Sequence, residues 1–93
     1  MDEFEWDARR AGANRRRHGV DFADAVLVLQ DEQALTVAGK ITAVDEPRLL
    51  SLGRDALGRV IVVAYTRGGQ RFRLVSARRA TPAERGQYRR RDG

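Results

Sequence analysis

Residues 60–74 read VIVVAYTRGGQRFRL and carry the strongest strand signal of the chain. The near-continuous apolar run over 60–66 is typical of a central strand that is buried on both faces. Gly68 and Gly69 then predict a tight turn, so that a second strand over 70–78 should return antiparallel to the first. We therefore expect a β-hairpin whose first strand lies inside a sheet.

Weaker strand signals precede this hairpin. The segment 34–37 has β-type composition, and a strand around 48–53 is predicted after a loop over 39–47. A turn at 55–58 then leads into the hairpin. These segments predict about four consecutive strands joined as an antiparallel meander.

Two helices are predicted between a short opening strand at 4–6 and the meander. Asp7 is placed to cap the first helix, which should end at about His18, before Gly19. The second helix, over about 22–30, carries an apolar stripe that should lie against the sheet. The stripe has the spacing i, i+3, i+4, i+7 and consists of Phe22, Ala25, Val26 and Leu29.

A last helix of about ten residues is predicted after the strands, because the segment Thr81-Pro82-Ala83-Glu84 combines a capping box with proline at the first helical position. Tyr88 is its single large apolar residue, so this helix should depend mainly on its cap. A chain of 93 residues is long enough for one core. We predict a single α+β domain over 1–93, in which an antiparallel β-sheet is packed by two N-terminal helices and a short C-terminal helix.

The positive charge of the chain is concentrated in its second half. Residues 1–46 carry six Lys or Arg against ten Asp or Glu, whereas residues 47–93 carry twelve against three. Seventeen of the eighteen cationic residues are Arg, whose planar guanidinium suits phosphate oxygens. A nucleic acid is therefore the expected partner.

The residue types also exclude several kinds of site. The chain has no Cys and one His, His18, which excludes disulfides and thiolate metal sites and argues against a protein-bound transition metal. No apolar run approaches the ~20 residues of a membrane span, and the acidic start, MDEFEW, is unlike a secretory signal. We expect a cytoplasmic protein that uses no cofactor and no metal.

Three separated segments resemble the signature segments of the BrnT toxin family. They are Phe4-Glu5-Trp6-Asp7, Asn14-Arg15-Arg16-Arg17-His18-Gly19-Val20-Asp21-Phe22 and Val75-Ser76-Ala77-Arg78-Arg79-Ala80-Thr81. Residues 52–54 and 63–67 fit the family too, so the resemblance covers nearly the whole chain. It implies a RelE-like fold within the RelE/ParE superfamily. It also implies a type II toxin that cleaves RNA, stops translation and is neutralised by a BrnA-type antitoxin.

The resemblance further implies how the partners assemble. The antitoxin typically pairs through a ribbon-helix-helix dimer, which predicts a heterotetramer with two toxins and contact with operator DNA only through the antitoxin. The chain departs from the family at two points. Arg17 stands where lysine is usual, and the loop 39–47 lacks the histidine that many members carry before the pair Glu46 and Arg48. A loop histidine is therefore not available as a general base.

RNA can be cleaved without a metal, because its 2′-hydroxyl is itself a nucleophile and arginines can position and neutralise the phosphate. The predicted catalytic residues are Arg79, Arg78, Arg48, Glu46, Tyr65 and His18. The predicted RNA-binding residues are Arg71, Arg73, Arg67, Arg10 and Arg17. This hypothesis requires the arginines of the second half of the chain to converge on one backbone phosphate.

Strand alternation predicts which of these arginines share a face. Arg71, Arg73 and Arg79 should form a basic row with a spacing of roughly 7 Å, and Arg78 should point to the opposite face. Such a row either follows the backbone of a nucleic acid or keeps an edge strand soluble.

Three of the candidate groups have structural alternatives. Arg48 and Glu46 form either a salt bridge that fixes the arginine at the phosphate or an ordinary surface pair. Tyr65 either stacks a base or relays a proton, or it is simply half-buried. His18 shares a helix stripe with Asn14, which could align it as an acid or base, but we favour a structural role at the C-terminus of the helix.

Two functions without RNA cleavage also fit the sequence. ParE-type proteins of the same superfamily poison a topoisomerase, and an inert half of a complex would use its charged halves only to bind a partner. Binding alone would weaken steeply with salt and would give no product.

Overall fold

The computed structural model describes residues 1–38 and 48–92. Within them the chain forms a five-stranded sheet and three helices, which confirms the predicted α+β class. In chain order the elements are β1 (Glu3–Glu5), α1 (Ala8–His18), α2 (Phe22–Leu29), β2 (Leu35–Ala38), β3 (Leu49–Arg54), β4 (Val60–Gly68), β5 (Arg71–Arg79) and α3 (Pro82–Asp92). In these two ranges, no helix has the length and apolar character that crossing a membrane requires.

Strands β2 to β5 form the predicted meander, in a sheet of order β1-β5-β4-β3-β2. Consecutive strands of the meander are antiparallel. Strand β1 instead pairs in parallel with β5, with Phe4 opposite Phe72. The prediction of an antiparallel sheet is therefore wrong at this edge. No hairpin fixes the direction of β1, because α1, α2 and the strands β2 to β4 separate it from β5 in the chain and allow a parallel pairing.

One face of the sheet carries the main core, and we call it the core face. Ile61 and Val63 of β4 are fully buried there, under the residues of α2. Helix α2 buries Phe22, Ala25 and Val28, and the half-buried Val26 and Leu29 pack against the same core, which confirms the predicted stripe. The apolar spacing of α2 thus fixes which face of the sheet is covered.

The opposite face is covered by α3 at one end, and we call it the α3 face. Tyr88 is 2% exposed and packs with Leu52, Val62 and Ala80 in a second, smaller cluster. Its hydroxyl donates to Asp31 Oδ2 at 2.6 Å, in the turn after α2. One anchoring tyrosine therefore holds α3 on a sheet face whose remainder is not covered by a helix of the described chain.

A β-bulge interrupts the pairing of β4 with β5. The register shifts between Ala64 and Tyr65, where Val75 is an extra residue in β5. Side-chain alternation in β5 is therefore reversed beyond the bulge. Leu74 and Ala77 accordingly both reach the core face, although they are an odd number of positions apart.

Candidate functional site

The bulge determines which arginines of β5 share a surface. Arg71 and Arg73 precede it and alternate with buried core residues, so they lie on the α3 face. Arg78 follows the bulge and is opposite Val62, which also belongs to the α3 face. Arg79 lies on the core face, where it is exposed. The predicted row is therefore wrong in its third member, and Arg78 takes that place.

A cleft of about 590 Å³ lies at the end of the sheet that α3 leaves open, and most of its charged lining is on the α3 face. We call it the arginine cleft, and its lining consists of Glu5, Leu49, Thr66, Arg67, Gly68, Arg71 and Arg73. Arg71 forms an ion pair of 3.5 Å with Glu3 of β1. Arg73 forms one of 3.8 Å with Glu5. All four side chains are at least 45% exposed, so these pairs are weak and open to exchange with another anion.

Arg78 is held by a two-pronged ion pair. Its two terminal nitrogens donate to both carboxylate oxygens of Glu84, at 2.8 and 3.0 Å. The Glu84 carboxylate also accepts from the Thr81 N–H at 2.8 Å, and the Thr81 hydroxyl accepts from the Glu84 N–H at 3.2 Å, which confirms the predicted capping box. Hydrogen bonds from Arg78 lower the pKa of Glu84 from 4.5 to about 2, and those same bonds raise the pKa of Arg78. Arg78 therefore joins β5 to the first turn of α3.

A second cleft of about 440 Å³ lies between α3 and the sheet, next to this ion pair. Its floor is apolar and its rim is polar and charged. The lining consists of Leu35, Thr36, Val37, Leu50, Leu52, Val62, Arg78, Glu84, Gln87 and Arg90. The α3 face thus presents two neighbouring depressions, each with arginine at its margin.

The predicted convergence of arginines on one phosphate is only partly found. Arg67 lines the arginine cleft, but its guanidinium lies over the ring of Phe72, 4.7 Å from the centroid, and its Nε donates to the Gly69 carbonyl at 2.9 Å. Arg79 is on the opposite face of the sheet from Arg78. Charge on the α3 face therefore comes from a subset of the predicted arginines.

Tyr65 lies inside the core face and is only 4% exposed. Its hydroxyl is within 2.8 Å of the Ser51 hydroxyl, which is in turn 2.8 Å from the Thr36 hydroxyl. These three groups form a chain of hydrogen bonds across β4, β3 and β2. Tyr65 is therefore too buried to stack a base or relay a proton at the surface. Its burial favours the alternative of a structural residue.

The predicted pair of Arg48 and Glu46 is described only in part. Arg48 is half-buried and directly precedes Leu49, which lines the arginine cleft. Glu46 lies outside the described residues, so the salt bridge between the two stays a prediction.

The predicted residues of α1 come together beside the bulge. We call the pocket found there the α1 pocket; it has a volume of about 180 Å³, and its lining consists of Arg10, Ala13, Asn14, Arg17, His18, Val75 and Ser76. Asn14 is buried, and its side-chain amide donates to the carbonyls of Val20 and Ala77 at 3.0 and 2.9 Å. Its side-chain oxygen accepts from the Ala77 N–H at 3.0 Å. Asn14 thus makes these three hydrogen bonds to the backbone, and none of them is to His18.

The site residues predicted from the sequence did not include Glu5, Thr66 and Leu49 of the arginine cleft or Ser76 of the α1 pocket. Uncharged or acidic residues in strands gave no signal for an anion site. The bulge had a signal, since the apolar series of β5 changes from even to odd numbers between Leu74 and Ala77. The described residues also include no group of three or more His, Asp or Glu side chains that could hold a metal ion.

Comparison with known proteins identifies relatives of this chain. The family described as ribonuclease toxin, BrnT, of type II toxin-antitoxin system matches residues 6–84. Among solved structures, the 1.1 Å crystal structure of the Brucella abortus ribonuclease toxin BrnT is similar, with a TM-score of 0.63 and 25% sequence identity, over 87% of this chain and 99% of that chain. No curated protein matched. The chain belongs to the BrnT family of ribonuclease toxins of type II toxin-antitoxin systems.

Proposed function

We propose that the chain is an endoribonuclease that binds RNA on the α3 face and stops translation by cleaving it. One observation carries this proposal: Arg71 and Arg73 of β5 lie exposed on a single face of the sheet and line the arginine cleft. That face is open beyond α3 and holds the arginine cleft. A strand that presents several arginines on one open face can follow a polyanionic backbone.

The exposed arginines of the cleft are suited to exchange their partners. Arg71 and Arg73 are paired with carboxylates of β1 at 3.5 and 3.8 Å, in exposed positions. A phosphate offers more acceptor oxygens in a geometry that matches the guanidinium, so it can replace those carboxylates. Arg78 is different, because both of its terminal nitrogens are engaged by Glu84. We assign Arg71 and Arg73 to phosphate binding and Arg78 to positioning α3 beside the cleft.

We propose that cleavage proceeds by attack of the RNA 2′-hydroxyl on the adjacent phosphorus, without a metal ion. The bond from phosphorus to the 5′-oxygen breaks, which leaves a 2′,3′-cyclic phosphate, and the 5′-oxygen takes a proton from water and departs as a hydroxyl. Arg48 directly precedes Leu49, which lines the cleft. It is our candidate to stabilise the negative charge that develops on the phosphoryl oxygens. Glu46, near it in sequence, is our candidate to accept the proton of the 2′-hydroxyl. Glu84 is a poor alternative, because its pKa of about 2 makes it a weak base.

The family resemblance supports the remaining parts of the proposal. We propose a RelE-like fold within the RelE/ParE superfamily, and an antitoxin of the BrnA type that forms a ribbon-helix-helix dimer. Two toxins on that dimer would give a heterotetramer that contacts operator DNA only through the antitoxin. The chain would act in the cytoplasm, where its RNA substrate is found.

The test is incubation of the purified chain with RNA in excess EDTA, with translating ribosomes in a parallel reaction. We expect products with 2′,3′-cyclic phosphate ends, and no product from an RNA whose cleaved nucleotide carries 2′-deoxyribose. Arg73→Ala should lower the cleavage rate at least tenfold, since a charge-assisted contact of about 1.5 to 3 kcal/mol is lost. Arg79→Ala is the matched control on the same strand and should cleave as the wild type does. Intact RNA in both reactions, or equal loss in the two variants, would contradict the proposal.

A further inference from the structure

The pocket between α1 and the bulge has an unusual set of charges. Arg10, Arg17 and His18 line it, and none of the described residues in the lining is a carboxylate. Both clefts of the α3 face, in contrast, contain a glutamate that offsets their arginines. Neither Arg10 nor Arg17 has an ion-pair partner among the described residues, although both line the same pocket from positions about two helical turns apart. Cations gathered without a counter-ion repel each other, so this arrangement is suited to receive an anion.

The pocket is also held in place by the fold. Arg10, Asn14, Arg17 and His18 follow the spacing i, i+4, i+7, i+8, which places them on one stripe of α1. Asn14, in the middle of the stripe, is buried and makes three hydrogen bonds, two of them to the backbone of Ala77 in β5. These bonds hold this side of α1 against β5, so the backbone positions that carry Arg10 and Arg17 are fixed relative to the strand.

The position of the pocket connects it with the RNA surface. Strand β1 covers the outer edge of β5 only at residues 71–73, and α1 follows along that edge. Ser76 lines the pocket and lies in β5 on the α3 face, between Arg73 and Arg78. An extended polyanion on that face would therefore meet the pocket where it crosses the edge of the sheet.

We propose that this pocket, built by Arg10, Arg17, His18 and Ser76, binds a backbone phosphate of the RNA outside the arginine cleft. The inference rests on the proposed ribonuclease function and adds a second anchoring point to it. At about 180 Å³ the pocket is smaller than the ~300 Å³ or more of typical small-molecule sites, which fits a single anionic group better than an organic cofactor. The pocket positions the substrate, and it takes no part in bond cleavage.

The test measures binding of a 2′-O-methyl RNA oligonucleotide, which cannot be cleaved through its 2′ oxygen, at several salt concentrations. The double variant Arg10→Ala/Arg17→Ala should weaken binding at least tenfold at low salt. It should also lower the slope of log K against log salt by about 0.7, the value for one phosphate contact of a single strand. The matched control is Arg9→Ala/Arg16→Ala, which removes two exposed arginines of the same helix that do not line the pocket. The control should keep the wild-type slope, and Arg17→Lys should keep it too because the charge is retained.

The possible failures are distinguishable. If wild type binds and cleaves RNA but the two double variants behave alike, the pocket holds no phosphate and the ribonuclease proposal stands. If Arg10→Ala/Arg17→Ala binds RNA normally but no longer binds the antitoxin, the pocket is a protein contact and the inference is overturned. If wild type neither binds nor cleaves RNA, the proposed function falls and the inference falls with it. Unfolding curves of all variants exclude loss of the fold as the cause.

Discussion

At the scale of single residues, the Asn14 side chain supplies hydrogen bonds to the β5 backbone that a neighbouring strand would otherwise supply. Beyond Arg73 the edge of β5 no longer pairs with β1, and the backbone N–H and carbonyl of Ala77 would lack a partner. The amide of Asn14 supplies both, at 3.0 and 2.9 Å, and also satisfies the Val20 carbonyl after α1. A side chain with one acceptor and two donors is required here, because buried backbone groups without partners are costly.

We predict that Asn14→Ala lowers the free energy of unfolding by about 2 to 4 kcal/mol, because three hydrogen bonds are lost and buried backbone groups are left unpaired. Urea unfolding followed by circular dichroism measures the change. Arg16→Ala, on an exposed position of the same helix, should change stability by less than about 0.5 kcal/mol. If Asn14→Ala lowers the free energy of unfolding as little as Arg16→Ala does, water has replaced the hydrogen bonds of the amide.

At the scale of elements, the first turn of α3 is capped and attached to the sheet by one carboxylate. Glu84 completes the capping box with Thr81 and receives both terminal nitrogens of Arg78. Tyr88 supplies the apolar contact, so the helix is tied to the sheet at its first turn and at its middle. A helix with this little apolar surface is stabilised by its specific contacts more than by its composition.

The lowered pKa of Glu84 predicts a pH dependence of stability. Its pKa is about 2 in the folded chain and 4.5 when unperturbed, so its contribution is present above pH 4.5 and is lost as the pH falls toward 2. We expect a loss of about 1 to 2 kcal/mol, because solvent screens an ion pair whose arginine is 42% exposed. Urea midpoints of wild type and Glu84→Gln between pH 2 and 6 test this. The difference between the two proteins should shrink toward pH 2, and a constant difference would contradict the prediction.

Strand β1 places acidic residues where RNA is proposed to bind. Glu5 lies 3.8 Å from Arg73 and lines the arginine cleft, so it competes with a phosphate for the guanidinium. We predict that Glu5→Gln tightens binding of the 2′-O-methyl oligonucleotide about two- to fivefold, the range expected for an exposed ion pair. Glu32→Gln makes the same charge change in the turn after α2 and should have a smaller effect. Equal effects would show that only the net charge matters.

The elements could be predicted from the sequence better than the site. Periodicity and caps located the three helices and the meander, because apolar spacing and capping residues act locally. The parallel pairing of β1 could not be predicted, since it depends on where α1 and α2 return the chain. The bulge at Val75 was missed as well, although one extra residue reverses the faces of Arg78 and Arg79. Site prediction by strand alternation therefore failed at the point where alternation itself is interrupted.

At the scale of the whole molecule, one face of the sheet holds the main core and the other carries the surface that is proposed to bind RNA. The core face buries its residues under α1 and α2, whereas the α3 face is covered at one end only and carries the two clefts. The α1 pocket lies at the edge of β5, where a ligand of the α3 face can reach it. The sequence places most of the acidic residues in the first half, yet Glu3 and Glu5 meet the basic strand β5 through the parallel pairing.

This division predicts that the position of positive charge, rather than its amount, determines toxicity. Arg71→Gln/Arg73→Gln and Arg16→Gln/Arg79→Gln lower the formal net charge of +5 by the same amount, but only the first pair alters the arginine cleft. Expressed in bacteria without antitoxin, the first variant should no longer arrest growth, whereas the second should arrest it as wild type does. Both change exposed side chains, so their unfolding midpoints should stay close to that of wild type. If both variants lose toxicity equally, nonspecific attraction between the chain and RNA explains the effect. A specific site in the arginine cleft would have been lost in the first variant alone.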